Sequence, residues 1–233
     1  MQAFGQRTAA LRTLAAVAAM LAVASCVGIG GGGGGQLAVT TDAVTVAGPR
    51  GFCVDPEATT DRGTTAFVLM GNCAAINGSR MAGQPAEPAI LTAAISEPGA
   101  PDAIAGSLST LPEFFASADG RRVLSRSGDP ETVTVDQSFA EGAVFYLHAT
   151  DASEGATPGV SDSYWRAYFD VGPRIATLSV LTLDGSGMGD DQALALLRQF
   201  VAATQAANPA PAADGTVPPA GGGFLGRILP ART

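Results

Sequence analysis

Asp190-Asp191-Gln192-Ala193-Leu194-Ala195-Leu196-Leu197-Arg198-Gln199-Phe200-Val201-Ala202-Ala203-Thr204-Gln205-Ala206-Ala207-Asn208-Pro209 is the stretch on which the fold class turns. Ala193, Leu196, Leu197, Phe200, Val201 and Thr204 recur at i, i+3, i+4 and i+7, the period of a helix with one apolar stripe. Asp190 is placed to cap this helix, Asp191 and Gln192 fall in its first turn, and Asn208-Pro209 closes it. One stripe on one helix calls for a broad apolar surface, which an antiparallel sheet provides.

The sheet is legible upstream. Arg174–Leu183 and Ser163–Val171 read as two strands joined across Gly172-Pro173, with a register slip near the end of the later one. Ala143–Ala149, Glu131–Gln137 and Arg121–Ser125 form a meander punctuated by Glu141-Gly142 and Ser127-Gly128-Asp129-Pro130, with a polar loop over 151–162. Earlier strands are expected at Ala89–Ser96, Thr64–Leu69, Phe52–Val54 and, as one run, Leu37–Val46. A short helix is predicted over Thr110–Ala118. Thr110 is its N-cap, Pro112 and Glu113 suit the first turn, and Asp119-Gly120 is the stop. The expected class is α+β: an antiparallel sheet of about six to eight strands, a short helix and a C-terminal packing helix. The chain shows no internal repeat.

The first 25 residues have a different character. Met1–Thr13 carries Arg7 and Arg12 and no acid, and Leu14–Val23 is an apolar run of about ten residues, the pattern of an export signal. That run is shorter than the roughly 20 residues a spanning helix needs. It ends in Val23-Ala24-Ser25-Cys26, which resembles the lipobox of bacterial lipoproteins: aliphatic, small, small, cysteine. The resemblance implies cleavage before Cys26, diacylglyceryl transfer to its thiol and acylation of the new amine. It implies a cell-envelope protein held to the membrane through lipid on Cys26. Val27 stands where an Asp retains Gram-negative lipoproteins in the inner membrane, so the implied address is the outer membrane, facing the periplasm. More than one acyl chain is enough for stable anchoring.

Gly28-Ile29 and six glycines follow, a tether whose ten or so residues reach roughly 17–19 Å. The run is no phosphate loop, since no strand precedes it and no Lys-Ser/Thr follows. The expected organisation is a signal over 1–25, lipidated Cys and tether over 26–36, and a globular domain over 37–208. A Pro/Ala/Gly-rich linker then spans 209–223 and an apolar tail 224–233. In the tail, Phe224, Leu225, Ile228 and Leu229 share one face of a short helix. They form either a docking peptide for a partner or a segment that folds back on its own domain.

The element order over about residues 40–207 resembles the PsbP/Mog1-like fold, also found in DcrB-type and LpqN-type lipoproteins. The shared points are an early strand at Gly51-Phe52-Cys53-Val54-Asp55-Pro56, a short helix around Leu111–Phe115, a long meander and the closing Leu196-Leu197-Phe200-Val201 ladder. The resemblance implies a binding or assembly module and carries over no catalytic residues.

All 13 cations are arginines, with no lysine. Beyond the signal, 11 of them face 21 acids, a net charge near −10. That balance excludes a phosphate-neutralising grip on nucleic acid and a polybasic grip on anionic lipid. With Cys26 assigned to lipid, Cys53 and Cys73 remain as a pair, and in an exported protein that pair is expected as a disulfide.

Candidate chemistry is sparse. His148 is the sole histidine, so Ser-His-Asp catalysis would have to use it. It falls in mid-strand, and no Gly-x-Ser-x-Gly elbow exists. Two Cys and one His do not complete a zinc site. Asp184–Asp191 resembles a calcium loop superficially, but Ala195 stands where the bidentate Glu belongs. Asn77-Gly78-Ser79 is a formal glycosylation sequon without force in a bacterium. Tyr164 and Tyr168 share one face of a predicted strand and Trp165 and Phe169 the other. One face is core; the other is either further packing or an aromatic surface for a partner. The expected role is a non-enzymatic binding or assembly accessory with an envelope protein as partner and no cofactor. The alternative is a small-molecule-binding lipoprotein with a pocket between the final helix and the sheet.

Overall fold

The computed structural model describes residues 35–79, 83–154 and 157–209. The described chain is α+β. It runs β1 (Gln36–Val39), β2 (Val44–Ala47), β3 (Phe52–Val54), β4 (Thr60–Asp61), β5 (Ala66–Asn72), α1 (Cys73–Ile76) and β6 (Ala89–Ile95). Then come α2 (Leu111–Ala116), α3 (Ala118–Leu124), β7 (Val133–Glu141), β8 (Val144–Asp151), β9 (Val160–Val171), β10 (Arg174–Leu183) and α4 (Asp190–Ala207). Eight strands form one antiparallel sheet in the order β3-β5-β6-β10-β9-β8-β7, with β4 also paired to β5. The register slip expected near the end of β10 lies between Leu181 and Leu183.

Alternation along the strands divides the core in two. On one face Val68, Leu91, Leu178 and Val180, all 0% exposed, meet Leu197 and Phe200 of α4. Each such side chain contributes roughly 1.5–3 kcal/mol by leaving water. Phe145, Leu147 and Ala149 point the other way and pack under Phe115 of α2 and Leu124 of α3. The sheet is thus the middle of three layers.

Several local expectations are overturned. Leu37–Val46 is the hairpin β1–β2, with Thr40 and Ala43 at positive φ (65° and 56°) in its turn. Asp42 at the tip accepts hydrogen bonds from Nε and Nη2 of Arg174 at 2.7–3.0 Å. Arg174 is 2% exposed and also donates to the carbonyls of Thr64 and Ser96, so one guanidinium ties the hairpin to the sheet. These bonds hold the Asp42 carboxyl at about 2.

Arg121–Ser125, expected as a strand, is the second half of the helix α3 up to Leu124 with Ser125 as its C-cap. Ser117 caps it by accepting from the Gly120 N–H at 3.2 Å. Gly120 does not stop a helix there. It lets α3 lie against α2, since a Cβ at that position would fall 2.0 Å from the Phe114 carbonyl oxygen. Two caps also differ. Thr110 turns its hydroxyl to the Ser107 carbonyl and makes no cap bond. Gly189 is the N-cap of α4, its N–H donating to Gln192 Oε1 at 2.9 Å, so Asp190 lies in the first turn.

Candidate functional site

Cys26 and the tail residues Phe224, Leu225, Ile228 and Leu229 lie outside the described residues. Cys53 on β3 and Cys73 at the start of α1 sit at disulfide distance, with sulfurs 2.00 Å and Cα atoms 4.8 Å apart. The pair fastens the short edge strand β3 to the corner that follows β5.

Tyr164 and Tyr168 share one face of β9 and Trp165 and Phe169 the other, in the expected parity. The tyrosine face is not an open aromatic surface. Tyr164 is 6% exposed, its hydroxyl donates to the Leu124 carbonyl at 3.4 Å, and burial pushes that hydroxyl's pKa up. Tyr168 is half-buried, with its ring 5.2 Å from that of Phe115. The layer formed by α2 and α3, itself invisible in the β9 sequence, covers both.

His148 lies in the middle of β8 as expected, paired with Gln137 and Trp165. Its partners are a surprise. Ser163 Oγ is 2.8 Å from Nε2, Asp136 Oδ2 is 3.4 Å from Nδ1 and Asp190 Oδ1 is 3.7 Å from Nε2. The ring stacks on Trp165 at 4.7 Å. These are the residue types of a nucleophilic triad, but His148 is only 6% exposed and Ser163 sits inside a strand. The cluster brings side chains of β7, β8, β9 and the start of α4 together around His148, whose Nδ1 has no hydrogen-bond partner among the described residues. Ser163 reaches His148 through the β8–β9 pairing, and Asp136 through a bulge between Val135 and Gln137. Neither is a local sequence signal.

Open grooves are present among the described residues, and two of them adjoin β7 and α4. One, of about 560 Å³, runs along β7 from Val133 to Ser138 and is walled by Pro112, Ala116 and Arg121. The outer side of β7 has no strand partner among the described residues. Ala152 N–H donates to the Thr132 carbonyl at 2.9 Å, which fixes the alternation. The N–H and C=O groups of Val135 and the C=O of Val133 therefore point away from β8, toward the groove, while the Val133 N–H donates to the Pro130 carbonyl. The second groove, of about 690 Å³, flanks α4 between Arg50, Phe52 and Pro85 on one side and Met188, Gln192 and Leu196 on the other. Between α4 and the sheet itself the space is filled: Ala193, Leu197, Phe200 and Val201 are 0–3% exposed.

Five of the eight described arginines are ion-paired. Arg121, Arg122, Arg126, Arg174 and Arg198 each lie within 4.0 Å of a carboxylate. Arg50 and Arg62 are exposed. Arg166 on β9 is different: it is half-buried, and no carboxylate lies within ion-pair distance among the described residues. Its Nε donates to Ser179 Oγ at 2.9 Å, and its guanidinium lies over the Tyr164 ring at 4.7 Å and beside the Tyr168 hydroxyl. Burial pushes the Tyr168 pKa up even against that cation, so the hydroxyl stays a neutral donor.

The chain matches no family model, no curated protein and no solved structure. Among the described residues no group of three or more His, Cys, Asp or Glu side chains could hold a metal ion, and no helix is long and apolar enough to cross a membrane.

Proposed function

We propose that this is a lipid-anchored protein of the cell envelope that acts by binding: an assembly accessory that takes up an extended segment of an envelope partner along the free edge of β7. One observation carries the reading. A nine-residue edge strand, Val133–Glu141, presents outward backbone groups beside an open groove. Such an edge is a template for strand addition, where main-chain hydrogen bonds give affinity and side-chain pockets give selectivity. The bulge at Asp136 limits the straight ladder to its first half, so Thr132–Val135 is the expected dock. Support for the anchor comes from Val23-Ala24-Ser25-Cys26, and for a binding role from the PsbP/Mog1-like order of elements.

The test is in-cell crosslinking and pull-down with the full chain, Val135→Pro, Val135→Ala and a chain ending at Ala220. Proline removes an N–H that points out of the sheet, so the β7–β8 ladder keeps its bonds. Alanine keeps that N–H and loses the same side-chain packing. Capture of one defined envelope protein by wild type and Val135→Ala but not by Val135→Pro supports strand addition. Capture that persists in Val135→Pro and disappears on truncation moves the handle to residues 224–229 and refutes the edge. A second reading, small-molecule binding, is favoured by the groove flanking α4, and filling it with Leu196→Trp tests that reading directly.

A further inference from the structure

On the sheet face turned away from α4, strand register lays out two straight rows. Leu69, Thr92, Ser179 and Arg166 stand side by side across β5, β6, β10 and β9. Phe67, Ala94, Thr177 and Tyr168 form the adjacent row. Within these two rows the middle strands contribute only small side chains, bounded along the strands by Ile90, Ile175 and Leu181, and the flanking strands contribute large ones. The result is a trough three inter-strand steps across, about 14 Å. Its floor is Thr92, Ala94, Thr177 and Ser179, one wall is Phe67 and Leu69, and the other is Arg166 and Tyr168. The layer of α2 and α3 covers β7 to β9 and reaches Tyr168 through Phe115, and Ser179 is 3% exposed where Arg166 bonds to it. The rest stays open: Phe67 is 41% exposed, Ala94 is exposed, and Leu69, Thr92, Thr177 and Arg166 keep intermediate exposure.

A guanidinium half removed from water without an anion is costly, and neutral hydroxyls offset only part of that cost. We infer that this trough binds an amphiphilic monocarboxylate, with its head on Arg166 and Tyr168 and its aliphatic body across Thr92 and Ala94 toward Phe67 and Leu69. The single cation selects one negative charge. With Nε donating to Ser179 and the guanidinium hydrogen-bonded to Tyr168, terminal N–H groups remain for a carboxylate, and the Tyr168 hydroxyl proton can donate a further bond. A polyanion would meet one cation on a chain with a formal net charge of −8. The apolar wall opposite the cation supplies the reason for a hydrocarbon body. This site is separate from the β7 edge and does not depend on strand addition there.

The experiment is a calorimetric titration of the full chain with decanoate, decanol and acetate, each below its aggregation range. Decanoate should bind saturably and acetate far more weakly. Arg166→Gln should weaken decanoate by about tenfold or more, the value of a charge-assisted hydrogen bond, and leave decanol unchanged. Thr92→Trp, which fills the floor and leaves Arg166 in place, should abolish decanoate binding while the thermal transition remains cooperative. The inference is overturned by equal binding of decanoate and decanol, or by absence of saturable binding to the folded full chain. It is also overturned if Leu196→Trp removes binding and Thr92→Trp does not, which would place the ligand in the groove beside α4.

Discussion

Asp42→Asn isolates the contact that holds the β1–β2 hairpin to the sheet. In the native chain both carboxylate oxygens accept from Arg174, whose Nη1 donates to the Thr64 and Ser96 carbonyls. Asn keeps the size and one acceptor but leaves a guanidinium that is 2% exposed without its counter-charge. Breaking a fully buried pair costs about 3–5 kcal/mol. Asp42 keeps 41% of its side-chain surface, so water screens the interaction and the upper figure does not apply. The pKa gives a second route. A carboxyl lowered from 3.8 to about 2 corresponds to roughly 2 kcal/mol before screening and about 1 kcal/mol after it. Because the folded-state value is lowered, the stabilisation is complete above about pH 4 and is lost as pH falls toward 2. Urea unfolding at pH 7 should therefore show the variant about 1–2 kcal/mol less stable than wild type. The gap should close on acidification to pH 2. A variant as stable as wild type at pH 7, or a gap that stays constant down to pH 2, refutes the argument that this ion pair pins the hairpin.

Gly120→Ala sets helix propensity, a gain of up to about 1 kcal/mol, against a Cβ placed 2.0 Å from the Phe114 carbonyl. Overpacking of that kind costs about 1–3 kcal/mol, so chemical denaturation should show net destabilisation, and a stabilised variant would mean that α2 and α3 do not pack as found. Cys53→Ser should lower stability by about 3 kcal/mol in the chain-entropy account for a sequence separation of 20, with the same loss in wild type on reduction. A reductant-insensitive wild type would show that the pair is not bridged. Cys26→Ser should shift the protein from the membrane fraction to the soluble or precursor fraction and abolish labelling by a clickable fatty acid; unchanged labelling would remove the lipid anchor from the proposal.

The elements that the sequence reveals best are those whose burial is periodic along one segment. The α4 stripe is one, and Leu197, Phe200 and Val201 are buried as the spacing demands. The opposite faces of β9 are another. Where local signals admit two outcomes, tertiary packing decides. Arg121-Arg122-Val123-Leu124 is too short to separate strand from helix by period, and Asp119-Gly120 resembles a stop. The Ser117 cap and the close approach to α2 select the helix. Leu37–Val46 carries apolar residues at both ends of one run, and the two positive-φ residues in its middle are Thr and Ala, neither of which advertises a turn. The four residues of α1 are too few for any periodic signal.

Functional groups are harder to read because each acquires its meaning from a neighbour that register supplies. Tyr164 and Tyr168 announce an aromatic face, yet whether that face is open depends on α2 and α3, about 40–60 residues earlier. Ser163 and Asp136 gain their place beside His148 only through the β8–β9 pairing and the bulge in β7. Arg166 is the sharpest case. In the sequence it stands between Trp165 and Ala167 as one more strand residue of an acidic protein. Only the pairing of β9 with β10 and β6 places Ser179 and Thr92 in its row, and only the register of β5 places Leu69 at the far end. A sheet that served packing alone would fill both middle strands of that face with large apolar residues, or cover them with the second helical layer. Here Thr92, Ala94, Thr177 and Ser179 keep the floor low beside an unmatched cation, and that combination separates a binding surface from an unfinished core.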